Sequence, residues 1–109
     1  MKVEEFAKHM GMKVLTCADT LDKEVEGMYI CDLLSWVMSK GKKGDAWITV
    51  HTHMNVVAVA LLAEISCIIV PEGIEVEEAT INKASKEGIA ILSSEKDAFK
   101  IACEAGKIL

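Results

Sequence analysis

The stretch DAWITVHTHMNVVAVALLAEISCIIV, residues 45–70, decides the fold. Its hydrophobic pattern predicts a strand over 46–50, a polar crossing, a helix over 55–63 and a second strand over 65–70. The helix is so apolar that most of its surface must be buried. The second strand is apolar on both faces, which is typical of a parallel strand covered by helices on each side. A strand, a helix and a strand in this order predict a right-handed β-α-β unit.

The rest of the chain extends this unit in both directions. Residues 18–30 are expected to be irregular, with a short edge strand near Val25 or Tyr29. We expect one domain over residues 1–109, with a three-layer α/β/α architecture and a mostly parallel central sheet. The other predicted elements are helices over 1–10, from 33, over 75–87 and from Glu95 to about 107, and strands over 13–17 and 89–92.

Two polar residues are predicted to begin helices. Asp32 is a candidate N-cap, and Ser94 opens a candidate capping box. The face of the last helix against the sheet is not decided by the sequence. The predicted core positions are Leu33, Leu34, Val37 and Met38 in the helix after Asp32, and Ala98, Ile101, Ala102 and Ala105 in the last helix.

Composition and charge limit the class of protein. Hydrophobic residues make up 51% of the 109 residues, which is typical of a globular chain. The net charge of −5 argues against a nucleic-acid groove binder, since such a protein needs a basic face. The one basic cluster, Lys40–Lys43, is interpreted as a solvated loop in preference to a phosphate contact. Because the longest apolar run, 56–63, is too short to span a bilayer and the chain begins without a signal-peptide pattern, we expect a cytoplasmic protein that does not bind membranes.

The cysteines indicate a reducing compartment. There are four, widely spaced and without a CxxC pair, and each lies in or beside an apolar run. We predict free cysteines buried in the core rather than disulfides or a zinc site, which would show paired spacing. The four are Cys17, Cys31, Cys67 and Cys103.

Polar side chains follow the predicted strands at the point where each strand ends. In a parallel sheet, ligands bind beyond the carboxyl ends of the strands. The N-termini of helices starting after 52 and 94 would add N–H groups, which favours an anion such as a phosphate or a nucleotide. Three strand ends contribute: His51 to Asn55, then Ser93 to Glu95, and Cys17 with Asp19. The candidate ligand-binding residues are Thr52, His53, Asn55, Ser93 and Ser94.

The His51-Thr52-His53 sequence leaves two other interpretations open. On an extended backbone both histidines point to one face and could share a zinc or iron ion, but the only other histidine is His9 in the first helix. Alternatively, His53 and Asn55 cap the helix or brace the loop by hydrogen bonds, with His51 partly exposed. We favour this structural interpretation, and we predict no metal ion and no cofactor.

Known enzyme signatures are missing. The chain has no GxxxxGK[ST], no GxGxxG and no GxSxG motif, which favours a non-catalytic role, and no catalytic residues are assigned. Ser93 or Ser94 could form a nucleophile–base pair with His53 only if their strand ends were adjacent.

Two apolar features suggest contact with another subunit. Met28, Tyr29 and Ile30 form an apolar cluster in an otherwise polar segment, which fits a surface that meets a second copy. Trp36 and Trp47 are predicted to be core or dimer-interface anchors rather than stacking platforms.

Three stretches, GMYICDLLSWVM (27–38), residues 45–70 and GIAILSSEKDAFKIA (88–102), resemble the DRTGG domain family. The resemblance covers roughly residues 13–105 and is most specific over 32–35, 48–50 and 52–60. The family's naming motif is replaced here by EGMYICD, residues 26–32. His51 stands where similar sequences are expected to carry glutamine. Only His53 therefore belongs to the resembled pattern, which weakens the interpretation of the two histidines as a metal site.

The resemblance implies a three-layer domain similar to the N-terminal domain of HPr kinase/phosphatase. It also implies a regulatory or associating role, as in domains that accompany phosphotransacetylases and CBS-domain inorganic pyrophosphatases, and it transfers no catalytic residue. Our first hypothesis is therefore a non-catalytic regulatory or sensor module that forms a homodimer and acts on a metabolic enzyme or kinase. The alternative is a small nucleotide- or phosphate-binding protein, including a phosphotransfer-related enzyme, with its site at the carboxyl ends of the strands.

Overall fold

One five-stranded sheet runs through the computed structural model, which describes residues 1–109. The strands are β1 (Lys13–Val14), β2 (Gly27–Ile30), β3 (Asp45–Ile48), β4 (Cys67–Val70) and β5 (Ala90–Ser93). The helices are α1 (Val3–Met10), α2 (Leu34–Lys40), α3 (Asn55–Leu62), α4 (Glu78–Glu87) and α5 (Ala98–Ala105). None of the helices has the length and apolar character needed to cross a membrane.

The strands follow the order β1-β5-β4-β3-β2. The pairs β2–β3, β3–β4 and β4–β5 are parallel, and only β1 is antiparallel, on β5. The predicted mostly parallel sheet is therefore confirmed, and the edge strand expected near Tyr29 is β2. The predicted strand over 13–17 is shorter because the Thr16 hydroxyl, in place of a backbone carbonyl, accepts the hydrogen bond from the Ile91 N–H.

Helices cover both faces of the sheet, which confirms the three-layer architecture. Alternate strand residues face opposite layers, so Ala46 and Ile48 pack with α1 and α5 while Trp47 packs with α2, α3 and α4. The last helix thus shares the face of α1. The strand β4 lies in the interior, as predicted. The prediction that most of α3 is buried is wrong, because only Val56, Val57, Val59 and Ala60 are buried and Leu61 and Leu62 are 40% and 70% exposed.

Three predicted helix starts are wrong, and one of them is that of α4, which begins at Glu78 rather than at Glu75. α5 begins three residues later than expected, because Asp97 is its N-cap and accepts a hydrogen bond from the Lys100 N–H at 2.9 Å. Ser94 is buried and instead accepts from the Lys96 N–H in the turn before the helix. α2 has Leu33 at its N-cap position rather than Asp32.

The predicted core face of α2 is also partly wrong. Val37 is fully buried and Leu34 is partly buried, but Leu33 and Met38 are 61% and 49% exposed. α2 lies above the edge strand and has a helix neighbour on one side only, so a single narrow stripe of its surface is covered.

The four cysteines are free, as predicted, but they are not all in the core. Cys67 is fully buried in β4, and burial raises the pKa of its thiol from 9.0 to about 12. Cys31 is half-buried, while Cys17 and Cys103 are exposed. The prediction is wrong for these last two, because an apolar neighbourhood in sequence does not fix the direction of a single side chain.

Candidate functional site

Asp32, which follows β2, holds the crossing that leads from β3 to α3. One carboxylate oxygen, Oδ1, accepts hydrogen bonds from the Thr49 hydroxyl and from the Val50 N–H, each at 2.9 Å. The backbone carbonyl of Asp32 accepts a third bond, at 2.6 Å, from Nε2 of His51. These bonds fix the carboxyl end of β3 against the start of α2, and they require a proton on Nε2 of His51.

The second half of the crossing contains three of the predicted ligand residues. The carbonyl of Thr52 accepts a hydrogen bond at 2.6 Å from the hydroxyl of Thr80, a residue buried in α4. Nδ1 of His53 accepts from the backbone N–H of Asn55 at 3.4 Å, a long local contact, and the Asn55 side chain forms no hydrogen bond. The side chains of His53 and Asn55 are otherwise exposed.

The start of α3 offers an anion few free donors. The N–H groups of Val56 and Val57 already donate to the carbonyls of His53 and Met54, at 3.1 and 3.0 Å. An open helix N-terminus would leave these groups for a ligand. A ligand at this edge would therefore be held mainly by side chains.

The two predicted serines lie apart from the crossing. They end β5, and β4 lies between β5 and β3. Adjacent strands are about 4.8 Å apart, so roughly 10 Å separates the two strand ends. A nucleophile–base pair between Ser93 or Ser94 and His53 requires adjacent strand ends, and this requirement is not met.

Cys17 and Asp19 were predicted at the carboxyl edge, and this placement is wrong. β1 is antiparallel to β5, with Val14 opposite Leu92, so the chain after β1 runs toward the amino ends of the parallel strands. There the N–H of Cys17 donates to the Ser85 hydroxyl at 3.2 Å. No group of three or more His, Cys, Asp or Glu side chains is placed to hold a metal ion.

A second feature lies at the free edge of the sheet. β2 pairs only with β3, so its other edge has no partner strand. Ile30 in β2 is 50% exposed, and Leu33 and Trp36, which follow it, are 61% and 51% exposed. Unpaired backbone groups beside exposed apolar side chains form a template on which another chain can pair. We call β2 together with Leu33 and Trp36 the β2-edge surface.

Leu33, at the N-cap of α2, and Trp36 are spaced to lie on the same side of the helix as Lys40. The three residues are three and four positions apart in the chain. Lys40 lines a depression beside β2, and its ammonium nitrogen lies 5.6 Å from the centre of the Trp36 ring. Leu33 and Trp36 therefore flank β2 rather than packing on α3.

The opposite face of β2 is also apolar. An open depression of about 310 Å³ lies between β2 and α5. The apolar surface thus continues around the strand from one helix layer to the other. The residues that line the depression are Gly27, Met28, Ile30, Ala102, Ala105, Gly106 and Leu109.

The model of the DRTGG domain family matches residues 5–107, nearly the whole chain. This chain belongs to the DRTGG domain family. A search of curated proteins finds no match.

The fold of this DRTGG domain is shared with part of a Clostridium perfringens pyrophosphatase. The similar structure is a crystal structure of the CBS and DRTGG domains of that enzyme's regulatory region, complexed with its activator, diadenosine tetraphosphate. The likeness has a TM-score of 0.69 and 14% sequence identity over 93% of this chain. This chain spans 44% of the length of that one.

Three segments on which the sequence resemblance is based meet at the crossing. The segment 32–35 begins with Asp32, whose carboxylate binds Thr49 and Val50 of the segment 48–50. The segment 52–60 then continues through the loop into α3. Sequence reasoning missed this connection, because Asp32 also satisfied the pattern of a helix cap.

Proposed function

We propose that this DRTGG domain is a non-catalytic regulatory module that forms a homodimer through the β2-edge surface and acts on a metabolic partner protein. The observation that carries the proposal is the unpaired strand β2, with Ile30 exposed at its end and the exposed Leu33 and Trp36 following it in the chain. Proteins usually protect such an edge with charges, proline or a covering element. Here Ile30 and Trp36, each about half exposed, stand in place of such protection.

A second copy of the chain suits this surface because the surface is self-complementary. If two β2 strands pair antiparallel about a two-fold axis perpendicular to the sheet, each helix layer meets its own equivalent. The Trp36 side chains then lie near the axis. Lys40 and Asp32 lie toward opposite ends of the strand, so each faces the opposite charge on the second copy. The second carboxylate oxygen of Asp32 makes no hydrogen bond within the chain and is free for such a contact.

A regulatory role is supported by the similar structure, in which the same fold is part of a regulatory region. The similar pyrophosphatase structure is a regulatory region in which a DRTGG domain accompanies CBS domains. An associating domain can pass a ligand signal from one subunit to another when the signal changes the geometry of the shared interface. We propose that the partner of this chain is a metabolic enzyme or a kinase controlled in this way.

The proposal is tested by sedimentation velocity over a range of protein concentrations. Leu33→Glu places a charge in the interface and is expected to shift the protein to monomer. Leu62→Glu is the matched control, since Leu62 is 70% exposed on α3 and is not part of the β2-edge surface, and it should leave the dimer unchanged. A wild-type protein that stays monomeric at high concentration, or two variants that behave alike, would overturn the proposal.

Nucleotide or phosphate binding at the carboxyl edge is the second candidate function. Two observations favour it: the activator in the similar pyrophosphatase structure is a dinucleotide, and the side chains of His53 and Asn55 are exposed beside the half-buried Thr52. A ligand that binds the folded state raises the melting temperature. Diadenosine tetraphosphate and ATP should each stabilise the wild type, and His53→Ala should reduce the effect. Without any stabilisation by an anion, this candidate loses its support.

A further inference from the structure

Three lysines surround a depression at the end of the sheet opposite to the crossing. Lys40 ends α2, and Lys42 and Lys43 follow in the loop to β3. They line one open depression of about 480 Å³ together with Tyr29, Glu26 and Asp45. A volume of this size suits a small ligand rather than a protein segment.

The lysine charges in this depression are largely free. Lys40 and Lys42 form no salt bridge, and Lys43 reaches only the exposed Glu64, at 3.8 Å. Water screens an exposed pair of this kind, so Lys43 remains available to a ligand.

Two carboxylates, Asp45 and Glu26, share the depression with the three lysines. Asp45 is buried, and its Oδ2 accepts a hydrogen bond from the Lys42 N–H at 2.9 Å. The Glu26 carboxylate lies against Gly44, in the space that a Cβ of that residue would occupy, and it forms no salt bridge. The depression therefore presents more positive than negative charge, although the whole chain carries −5.

We propose that this lysine depression binds a small polyphosphate anion, either a free polyphosphate or the phosphate chain of a nucleotide. Lysine ammonium groups are point charges that suit adjacent phosphate groups. A long polyanion is disfavoured because the acidic remainder of the chain would repel it. The site is distinct from Thr52, His53 and Asn55. It shares Lys40 with the proposed dimer contact, so binding is measured in the Leu33→Glu variant as well as in the wild type.

Trp36 provides a reporter for this site. Its half-exposed ring lies 5.6 Å from the Lys40 ammonium, while the only other tryptophan, Trp47, is fully buried. A phosphate that draws Lys40 away from the ring changes the surroundings of Trp36 alone. Tryptophan emission should therefore follow occupancy of the depression.

The test is a titration with tripolyphosphate, ATP and adenosine, followed by tryptophan emission and by calorimetry. We expect tripolyphosphate and ATP to bind and adenosine not to bind. Tighter binding of ATP than of tripolyphosphate would identify a nucleotide as the source of the phosphates, and equal binding would identify the phosphate chain alone. The double variant Lys40→Gln/Lys42→Gln should weaken binding by about tenfold or more, since it removes two charge-assisted contacts.

The double variant Lys86→Gln/Lys100→Gln is the matched control. It removes the same charge from exposed lysines that form no salt bridge, and it should bind as the wild type does. Equal weakening in both double variants, or loss of binding in His53→Ala instead, would overturn the proposal. Retained binding in monomeric Leu33→Glu would show that the depression works without the dimer. The failure of the lysine-depression proposal can thus be distinguished from the failure of the homodimer proposal.

Discussion

Replacing Asp32 with alanine removes the carboxylate that holds the β3–α3 crossing. The change deletes two hydrogen bonds of 2.9 Å to a charged acceptor, from the Thr49 hydroxyl and the Val50 N–H. Thr49 is 1% exposed, so water cannot readily replace its lost partner, whereas Val50 is 45% exposed and can be hydrated. An unsatisfied buried hydroxyl costs about 1–3 kcal/mol, and a bond lost to water costs less.

We therefore expect Asp32→Ala to lower the free energy of unfolding by about 2 kcal/mol. For a chain of this length that corresponds to a fall in melting temperature of about 8 °C. Urea denaturation followed by far-UV circular dichroism gives the free energy directly. Asp32→Asn keeps an acceptor oxygen in the same place and should cost less than about 1 kcal/mol.

A double-mutant cycle with Thr49→Val isolates the contact itself. If the carboxylate–hydroxyl bond is the source of the loss, the two substitutions should couple by about 1 kcal/mol. The reasoning is refuted if Asp32→Ala costs less than about 0.5 kcal/mol. It is also refuted if asparagine costs as much as alanine, since the acceptor would then not be the cause.

Three further predictions follow from the same structure. In the native protein a thiol reagent should label Cys17 and Cys103 rapidly and reach Cys67 only on unfolding, because the first two are exposed and the third is buried. Stability should fall above pH 9 by up to about 1.4 kcal/mol per pH unit, because the pKa of Cys67 is about 12 when folded and its usual value is 9.0, so raising the pH favours the unfolded thiolate. Asp97→Ala should cost about 1 kcal/mol through loss of the α5 cap, while Ser94→Ala should leave the start of α5 unchanged.

Each of these predictions has a direct check. Mass spectrometry after brief alkylation identifies the labelled cysteines, and early labelling of Cys67 would contradict its burial. The pH effect is read as the difference between wild type and Cys67→Ala in urea denaturation from pH 8 to 10.5, and equal slopes would contradict it. Amide exchange in the first turn of α5 should rise in Asp97→Ala only. A rise in Ser94→Ala would instead show that Ser94 is the N-cap, as the sequence predicted.

The central β-α-β unit could be predicted because its sequence allows few alternatives. α3 contains eight consecutive residues from Asn55 to Leu62, seven of them apolar, and such a helix needs neighbours that cover at least one of its faces. β4 is apolar at every position, which favours cover on both faces. These two requirements together imply a sheet between two helix layers, and the parallel order follows from the helix that joins the strands.

The parts that were predicted wrongly have more than one local solution. Asp32 satisfies the pattern of an N-cap, but its carboxylate is used by Thr49 and Val50, which lie 17 and 18 residues away in sequence. Ser94 and Asp97 both precede α5, and only burial of the first decides between them. The direction of β1 depends on a pairing with β5 nearly 80 residues later, which no local pattern specifies.

The candidate sites differ in how far their residues are used by the fold itself. At the crossing, Thr49 and Val50 bind Asp32 and the carbonyl of Thr52 binds Thr80. The bonds of the buried hydroxyls of Thr49 and Thr80 follow from the requirement to satisfy buried polar atoms. At the β2 edge the opposite holds, since Leu33, Trp36 and Lys40 contribute little to the core and remain exposed. Residues that the fold does not need are free to contact another molecule. The β2-edge surface and the adjoining lysine depression therefore merit mutation before the histidines that first draw attention in the sequence.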